Sequence, residues 1–324
     1  MRAVVVCEPG GPEVLEVRDV PEPAPPGSDE VLVEVAAAGV NRADLLQRQG
    51  SYPPPPGAPP WPGLEVAGVV RAAGPTSGLA TGDRVAALVP GGGYAELVVV
   101  PAALTLPVPA DLALVDAAAL PEALATVWSN LQEADARAGE TLLVRGGSGG
   151  VGTAAVQLGR LLGLRVLATA GGPQRVARVA ELGADAVLDH RRDDVADQVL
   201  AATDGRGVDV VLDVLGAGGL EDNVRVLATG GRLVVIGLQQ GRRGTLDLGT
   251  LLARRARVIA TTLRSREPQD KARIMAGVRE HVWPFVVDGR LRPVVHATYG
   301  LDEAAHAHAA LEAGGVLGKL VLRT

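Results

Sequence analysis

Gly147, Gly149 and Gly152 carry the most specific chemical signal in this chain. They lie in Arg145-Gly-Gly-Ser-Gly-Gly-Val-Gly152, a G-x-G-x-x-G spacing that follows an apolar run and opens a helical one. In that setting the first glycine permits a tight turn, the second lets backbone approach a pyrophosphate, and the third lets helix and strand pack closely. Phosphate oxygens are then held by N–H groups at the helix N-terminus, where the helix dipole favours negative charge. Gly147, Ser148, Gly149, Gly150, Val151 and Gly152 are therefore expected to bind the pyrophosphate of a dinucleotide.

The next strand narrows the choice of dinucleotide. A site for NADH places an Asp or Glu roughly 20 residues past the loop, at the end of the second strand, to bind the ribose 2′-hydroxyl. Here the run Arg165–Ala170 ends in Ala170-Gly171-Gly172 with no acid. Arg175 and Arg178 follow, and the next run ends in His190-Arg191-Arg192. A 2′-phosphate needs cations and no facing carboxylate. NADPH is favoured, and Arg175, Arg178 and the run His190-Arg191-Arg192 are the cations near the end of this strand.

These residues need elements to position them. From about Leu120 strands alternate with helices: strands at Thr141–Arg145, Arg165–Ala170, Ala186–Asp189, Val208–Val214, Arg232–Gly237 and Arg257–Thr262. Helices are expected at Val151–Leu162, Gln174–Leu182, Val195–Thr203, Leu220–Leu227 and Leu246–Arg254. Near-continuous Val/Leu strands joined by helices predict a doubly wound parallel sheet, an α/β nucleotide fold. The first third reads differently. Short runs at Ala3–Cys7, Val14–Arg18, Val31–Ala38, Val66–Ala72, Val85–Leu88 and Ala95–Val100 predict a compact, mostly antiparallel β-barrel. Within Tyr52–Pro62, seven of eleven residues are proline, which makes this a stiff surface loop. After Thr262 come an amphipathic helix at Gln269–Val287, strands at Val294–Tyr299 and Leu317–Leu322, and a helix at Asp302–Glu312, read as a return to the first domain. The expected division is 1–122 and 265–324 for the barrel domain, 123–264 for the nucleotide domain.

Composition sets outer limits. The 324 residues carry a net charge of −6 with scattered basic residues, which argues against a nucleic-acid partner. No run approaches the roughly 18 apolar residues of a membrane helix, and the N-terminus lacks a signal peptide's polar flank and cleavage site. A cytoplasmic protein without a membrane partner is expected. The single cysteine, Cys7, can form neither an internal disulfide nor a multi-cysteine zinc site, and reads as a small buried residue of the first strand. Of five histidines, His281, His296, His306 and His308 fall in the last quarter and read as surface residues.

Several blocks together resemble the medium-chain dehydrogenase/reductase superfamily, and within it the zinc-free, zeta-crystallin-like quinone oxidoreductases. They are Ala36-Ala-Ala-Gly-Val-Asn-Arg-Ala-Asp44, Gly63-Leu-Glu-Val-Ala-Gly68, Gly82-Asp-Arg-Val85, Leu120-Pro-Glu122 with Thr126, and the glycine loop. Asn41 to Gly50 with the proline loop, Pro90-Gly-Gly-Gly93 and Leu263-Arg-Ser-Arg266 are most similar to the subgroup of the tumour-suppressor-inducible quinone oxidoreductase. The resemblance implies a GroES-like barrel domain, a Rossmann domain, a cleft between them and a homodimer pairing through the strand Arg257–Thr262. It implies that Asn41 and Tyr52 line the nicotinamide and substrate cleft, that Thr126 approaches the nicotinamide, and that Leu215, Gly237, Leu238, Leu263 and Arg264 flank it. It implies that Gly171, Arg175, where relatives often carry a lysine, and His190, where relatives carry Tyr or His, lie beside the 2′-phosphate; Gly172 departs from the serine that the subgroup places there.

Zinc members of the superfamily carry a cysteine where Asn41 stands, and a four-cysteine lobe; neither is present. Without a metal, the acceptor should take a hydride readily, as a quinone does, or an activated enone, enal or enoyl thioester. Asn41 and Tyr52 are the expected catalytic residues. Either can hydrogen-bond the acceptor oxygen as charge develops, and the Tyr52 phenol can supply a proton. The residues themselves leave both also readable as a turn amide and a packing ring, and Asp44 reads as a helix-capping group. The expected activity is NADPH-dependent quinone reduction. The alternatives are an NADPH-dependent alkene reductase and a nucleotide-binding sensor or structural protein without turnover.

Overall fold

The computed structural model describes residues 1–192 and 194–324. The chain divides into two units, one of residues Met1–Ala125 with Leu263–Thr324, the other Thr126–Thr262.

The first unit opens with a hairpin, β1 (Arg2–Val6) against β2 (Leu15–Asp19). β3 (Glu30–Val40) leads into the short helix α1 (Arg42–Arg48), and β4 (Glu65–Ala73), β5 (Arg84–Leu88), β6 (Leu97–Pro101) and β7 (Thr105–Pro107) follow. β3 alternates inside and outside up to Ala37, with Val31, Val33 and Val35 buried. It then runs buried through Ala37, Ala38, Gly39 and Val40, where small side chains let the strand be covered on both faces. It pairs with β4 along most of its length and with β6 at Glu30–Glu34. α2 (Leu114–Ala117) and α3 (Pro121–Glu133) close this part of the chain.

The second unit, which begins inside α3, holds β8 (Thr141–Val144), α4 (Gly150–Leu161), β9 (Arg165–Ala170), α5 (Pro173–Glu181), β10 (Ala186–Asp189), α6 (Val195–Ala202), β11 (Val208–Asp213), α7 (Leu220–Arg225), β12 (Leu227–Val235), α8 (Leu248–Arg254) and β13 (Arg257–Ala260). The six strands are parallel in the order β10-β9-β8-β11-β12-β13. The order reverses direction beside β8, which is the switch point where this fold binds dinucleotides at the carboxyl ends of its strands. Leu143, Leu167, Val199, Val208, Val211 and Leu233 are buried in one cluster. Each such side chain contributes about 1.5–3 kcal/mol by leaving water.

The chain then returns to the first unit through α9 (Pro268–Gly277), α10 (Trp283–Val287), β14 (Val295–Gly300), α11 (Ala304–Ala313) and β15 (Lys319–Arg323). β15 pairs with the end of β3, Leu320 opposite Val40, and so completes a seven-stranded sheet. Three sequence expectations change. The single helix expected at Gln269–Val287 is interrupted by a π-helical turn at Val278–Val282, just before Pro284, whose missing N–H suits the start of α10. Cys7 lies one residue past β1 and is exposed. His308 is fully buried, whereas its neighbour on the opposite side of α11, His306, is exposed.

Candidate active site

Asn41 stands where β3 ends and α1 begins. Its backbone N–H donates to Asp44 Oδ2 at 2.8 Å, and Asp44 caps the helix from its third residue. The other Asp44 oxygen accepts the Gly63 N–H at 2.9 Å, and the Tyr94 hydroxyl donates to Oδ2 at 3.1 Å. Asp44 is fully buried, and that burial raises its carboxyl to about 6 against the pull of these donors. Tyr94 is in turn 3.2 Å from His308 Nε2. Burial lowers the His308 imidazole to about 3, so it is neutral at pH 7.

The Asn41 side chain is held by a second, ionic cluster. Its Nδ2 donates to Glu65 Oε1 at 3.0 Å, and its Oδ1 accepts from Lys319 Nζ at 2.5 Å. Lys319 and Glu65 form an ion pair, with only 4% of Lys319 and none of Glu65 exposed. The other Glu65 oxygen accepts the Glu122 N–H at 2.9 Å. Gly39 leaves the hole this carboxylate fills, since a Cβ there would stand 2.2 Å from Glu65 Oε1. The amide of Asn41 is thus fixed in orientation, oxygen toward the ammonium and nitrogen toward the carboxylate. Burial, then the neighbouring Glu65, pushes the Glu122 carboxyl up to about 8, although the residue as a whole is partly exposed. At pH 7 Glu122 is therefore a neutral acid beside the Glu65–Lys319 ion pair.

Tyr52 begins the proline loop and is tied down by Arg264. The guanidinium lies 5.3 Å from the Tyr52 ring centroid, a cation–π distance. It also donates to the carbonyls of Pro90 at 2.7 Å and Tyr52 at 3.2 Å, and to Gln47 Oε1 at 2.7 Å. Arg264 is 6% exposed and Leu263 8%. The Arg264 guanidinium is thus engaged with the first unit's own groups and holds the loop that carries Tyr52. A groove of about 710 Å³ in this unit is lined by Pro59, Trp61, Gly91, Leu97 and Lys271; neither Asn41 nor Tyr52 borders it.

In the second unit the glycine loop joins β8 to α4. The left-handed turn falls at Gly146, with φ +76°, one residue before the motif's first glycine. Gly152 is required by the loop itself, because a Cβ there would stand 2.1 Å from the Gly146 oxygen. Gly149 is different. A Cβ there would meet only the Gly146 oxygen, at an ordinary 3.5 Å, so the protein's own packing does not require glycine. A backbone left bare toward open space is what an incoming pyrophosphate needs. The N–H groups of Gly150, Val151 and Gly152 open α4 and have no partner within the helix. Ser148 is 9% exposed. Arg145, at the end of β8, is buried with its Nε and NH1 unpartnered among the described residues, and its nearest carboxylate, Asp222, is 4.0 Å away. A buried, underpaired guanidinium beside the loop suits an anionic ligand.

At the end of β9, side chains converge over Gly171. A Cβ there would stand 2.7 Å from His190 Nε2 and 3.1 Å from an Arg175 terminal nitrogen. Arg175 Nε donates to the Gly171 carbonyl at 2.7 Å, which aims the rest of the guanidinium. Burial lowers the His190 imidazole. Arg178 points away and pairs with Glu181 at 2.6 Å. The carboxylate of Asp189 accepts N–H bonds from Gly172 and Arg191, both at 3.0 Å; the Arg191 bond is the larger reason its carboxyl titrates low. Leu215, Gly237 and Leu238 follow the ends of β11 and β12, where a Cβ on Gly237 would lie 2.8 Å from the Val214 oxygen. There Gln240 N–H bonds the Leu215 carbonyl at 2.8 Å, and a Cβ on Gly216 would lie 2.9 Å from a Leu238 methyl. The Thr126 carbonyl accepts the Asn130 amide at 2.7 Å.

Sequence reasoning missed Glu65, Lys319, Tyr94 and Arg145 as parts of the site. Glu65 had a readable signal: it is the one charge in the apolar run Leu64-Glu-Val-Ala67.

Comparison with known proteins accords with this arrangement. Residues 27–110 match the alcohol dehydrogenase GroES-like domain and residues 182–322 the family described as zinc-binding dehydrogenase. Among the described residues, no group of three or more His, Cys, Asp or Glu could hold a metal ion. The chain is 36% identical to the quinone oxidoreductase of Rattus norvegicus, over 99% of its own length and 97% of the rat protein. Among solved structures, a NAD-dependent alcohol dehydrogenase superposes with a TM-score of 0.89 at 35% identity, covering all of both chains. The quinone oxidoreductase of Escherichia coli in complex with NADPH does so with a TM-score of 0.89 at 27% identity, again over all of both chains.

Proposed function

The chain belongs to the zeta-crystallin-like quinone oxidoreductases of the medium-chain dehydrogenase/reductase superfamily, and from that membership we propose that it reduces quinones with NADPH. The two solved relatives differ in cofactor by name, so this chain's own residues decide between them. The observation that carries NADPH is the meeting of His190 Nε2 and the Arg175 guanidinium over Gly171, at the end of a β9 that bears no acid. A phosphate monoester is matched by a guanidinium and repelled by the carboxylate an NADH site would carry there. Gly147 to Gly152 would hold the pyrophosphate on the α4 N-terminus, with Arg145 adding positive charge nearby. Thr126, Leu215, Gly237 and Leu238 would flank the nicotinamide.

When bound, NADPH supplies the hydride. Asn41, held by Glu65 and Lys319, presents a preoriented amide to the acceptor oxygen, and a donor fixed in advance needs no reorganisation as negative charge develops. Tyr52, positioned by Arg264, offers a second donor and a proton. Glu122 stays protonated at pH 7 and so keeps a second negative charge away from Glu65. Leu263, the buried residue before Arg264, would flank the nicotinamide end.

No helix of the described residues is long and apolar enough to cross a membrane. We place the protein in the cytoplasm as a homodimer. Support for the dimer comes from β13, an edge strand with Val258 42% exposed, and from Leu248 and Leu252 of α8, 64% and 78% exposed. The decisive assay follows NADPH and NADH oxidation in parallel with ortho- and para-quinones, enones, enals and enoyl thioesters. Quinone turnover with NADPH preferred is expected. Faster turnover of the alkenes moves the substrate class to activated alkenes, and binding of NADPH with no acceptor reduced refutes catalysis.

A further inference from the structure

Four arginines follow the end of β9, and the structure sorts them. Arg178 and Arg192 are exposed and paired, to Glu181 at 2.6 Å and Asp194 at 2.8 Å. Arg175 is fastened to the Gly171 carbonyl. Arg191 alone has a guanidinium with no hydrogen-bond or ion-pair partner among the described residues, and it is not turned away from the site. Its terminal NH1 lies 2.8 Å from the point where a Cβ on Gly172 would stand. Gly172 has φ +84°, a left-handed conformation that other residues adopt with strain. It also precedes Pro173 at the start of α5. The backbone of Arg191 is set by its N–H bond to Asp189 Oδ1, and the same oxygen accepts the Gly172 N–H, so one carboxylate fixes both sides of the contact.

We infer that Arg191 is a second guanidinium for the 2′-phosphate of NADPH, lying over Gly172 as Arg175 lies over Gly171. This rests on the NADPH assignment above. The two glycines remove the side chains that would otherwise stand between the β9–α5 turn and the two cations. The pairing of Asp189 with two backbone N–H groups holds its charge against the chain and away from the ligand. Arg191 is therefore a specificity-determining residue: it acts on the phosphate that distinguishes NADPH from NADH, and on nothing the two cofactors share.

Calorimetric titration of NADPH, NADH and adenosine 2′,5′-bisphosphate into the wild type, Arg191→Ala and Arg192→Ala tests this without turnover. Loss of a charge-assisted contact to phosphate should weaken NADPH and the bisphosphate about tenfold or more in Arg191→Ala. NADH affinity should stay within about twofold, and Arg192→Ala should behave as wild type. A wild type that prefers NADPH, with Arg191→Ala either unchanged or equally weakened toward NADH, overturns the role of Arg191 alone. A wild type that binds NADH at least as tightly as NADPH overturns the cofactor assignment, and this inference with it.

Discussion

Replacing Lys319 by Met tests whether the buried ionic cluster sets the geometry of Asn41. Methionine keeps an unbranched stem and removes the ammonium. Glu65, with none of its surface exposed, then keeps only the Asn41 amide at 3.0 Å and the Glu122 N–H at 2.9 Å. Removing one partner of a buried pair costs about 3–5 kcal/mol, because the other charge stays behind. The two surviving donors each contribute about 1.5–3 kcal/mol to a charged acceptor, so the loss should fall near the lower end of that range. Glu65→Gln should cost a similar amount by stranding the ammonium. The double variant, Glu65→Gln with Lys319→Met, strands neither charge. It should recover about 2 kcal/mol or more relative to the sum of the single changes.

Urea unfolding followed by tryptophan fluorescence suits the measurement, because Trp61 and Trp283 both lie in the first unit. Steady-state quinone reduction reads the second consequence. Without Lys319 the Asn41 oxygen loses its donor and the amide can rotate, so kcat should fall by about tenfold or more if that amide meets developing charge. A Lys319→Met protein within about 1 kcal/mol of wild type, or a double variant whose losses simply add, refutes the coupling.

Three further outcomes follow. Gly152→Ala places a methyl 2.1 Å from the Gly146 oxygen, so α4 must shift by about 1 Å; NADPH binding by calorimetry should weaken about a hundredfold, and unchanged binding would show that the loop is not the phosphate cradle. Glu122 titrates higher folded, at about 8, than unfolded, so the stability it contributes is present in acid and lost as pH rises through about 8. His308 shifts the opposite way and acts only below its unfolded value, so the thermal midpoint should fall between pH 6.5 and 9, and Glu122→Gln should flatten that fall; a parallel curve would remove Glu122 as the cause. Arg264→Ala removes three hydrogen bonds and the stack on Tyr52, so the proline loop should become protease-sensitive and the quinone KM should rise severalfold, while NADPH affinity stays near wild type; a selective loss of NADPH affinity would instead return Arg264 to the cofactor.

What could be read from the sequence was local. The parallel sheet was legible because each strand is a short apolar run with its own stop, and the glycine loop because its spacing is fixed by covalent geometry. Even there the sequence gives roles less sharply than the structure: the turn is at Gly146, and Gly152 avoids its own loop rather than a strand. The ionic cluster could not be read, because it joins Asn41, Glu65, Glu122 and Lys319 across 278 residues, and only the pairing of β15 with β3 brings Lys319 to Asn41. His308 was misread for a related reason. A histidine on an Ala-rich helix reads as surface until Tyr94 is known to stand against it. One compositional signal did point to the cluster. The chain carries 31 basic residues, of which only Lys271 and Lys319 are lysines, and both are buried. In a chain that uses arginine everywhere else, a lysine marks a place where a compact ammonium fits and a planar guanidinium does not. Lys319 has such a place, between the Glu65 carboxylate and the Asn41 carbonyl oxygen, and that is why one of the chain's two lysines sits beside the residue proposed to meet the acceptor.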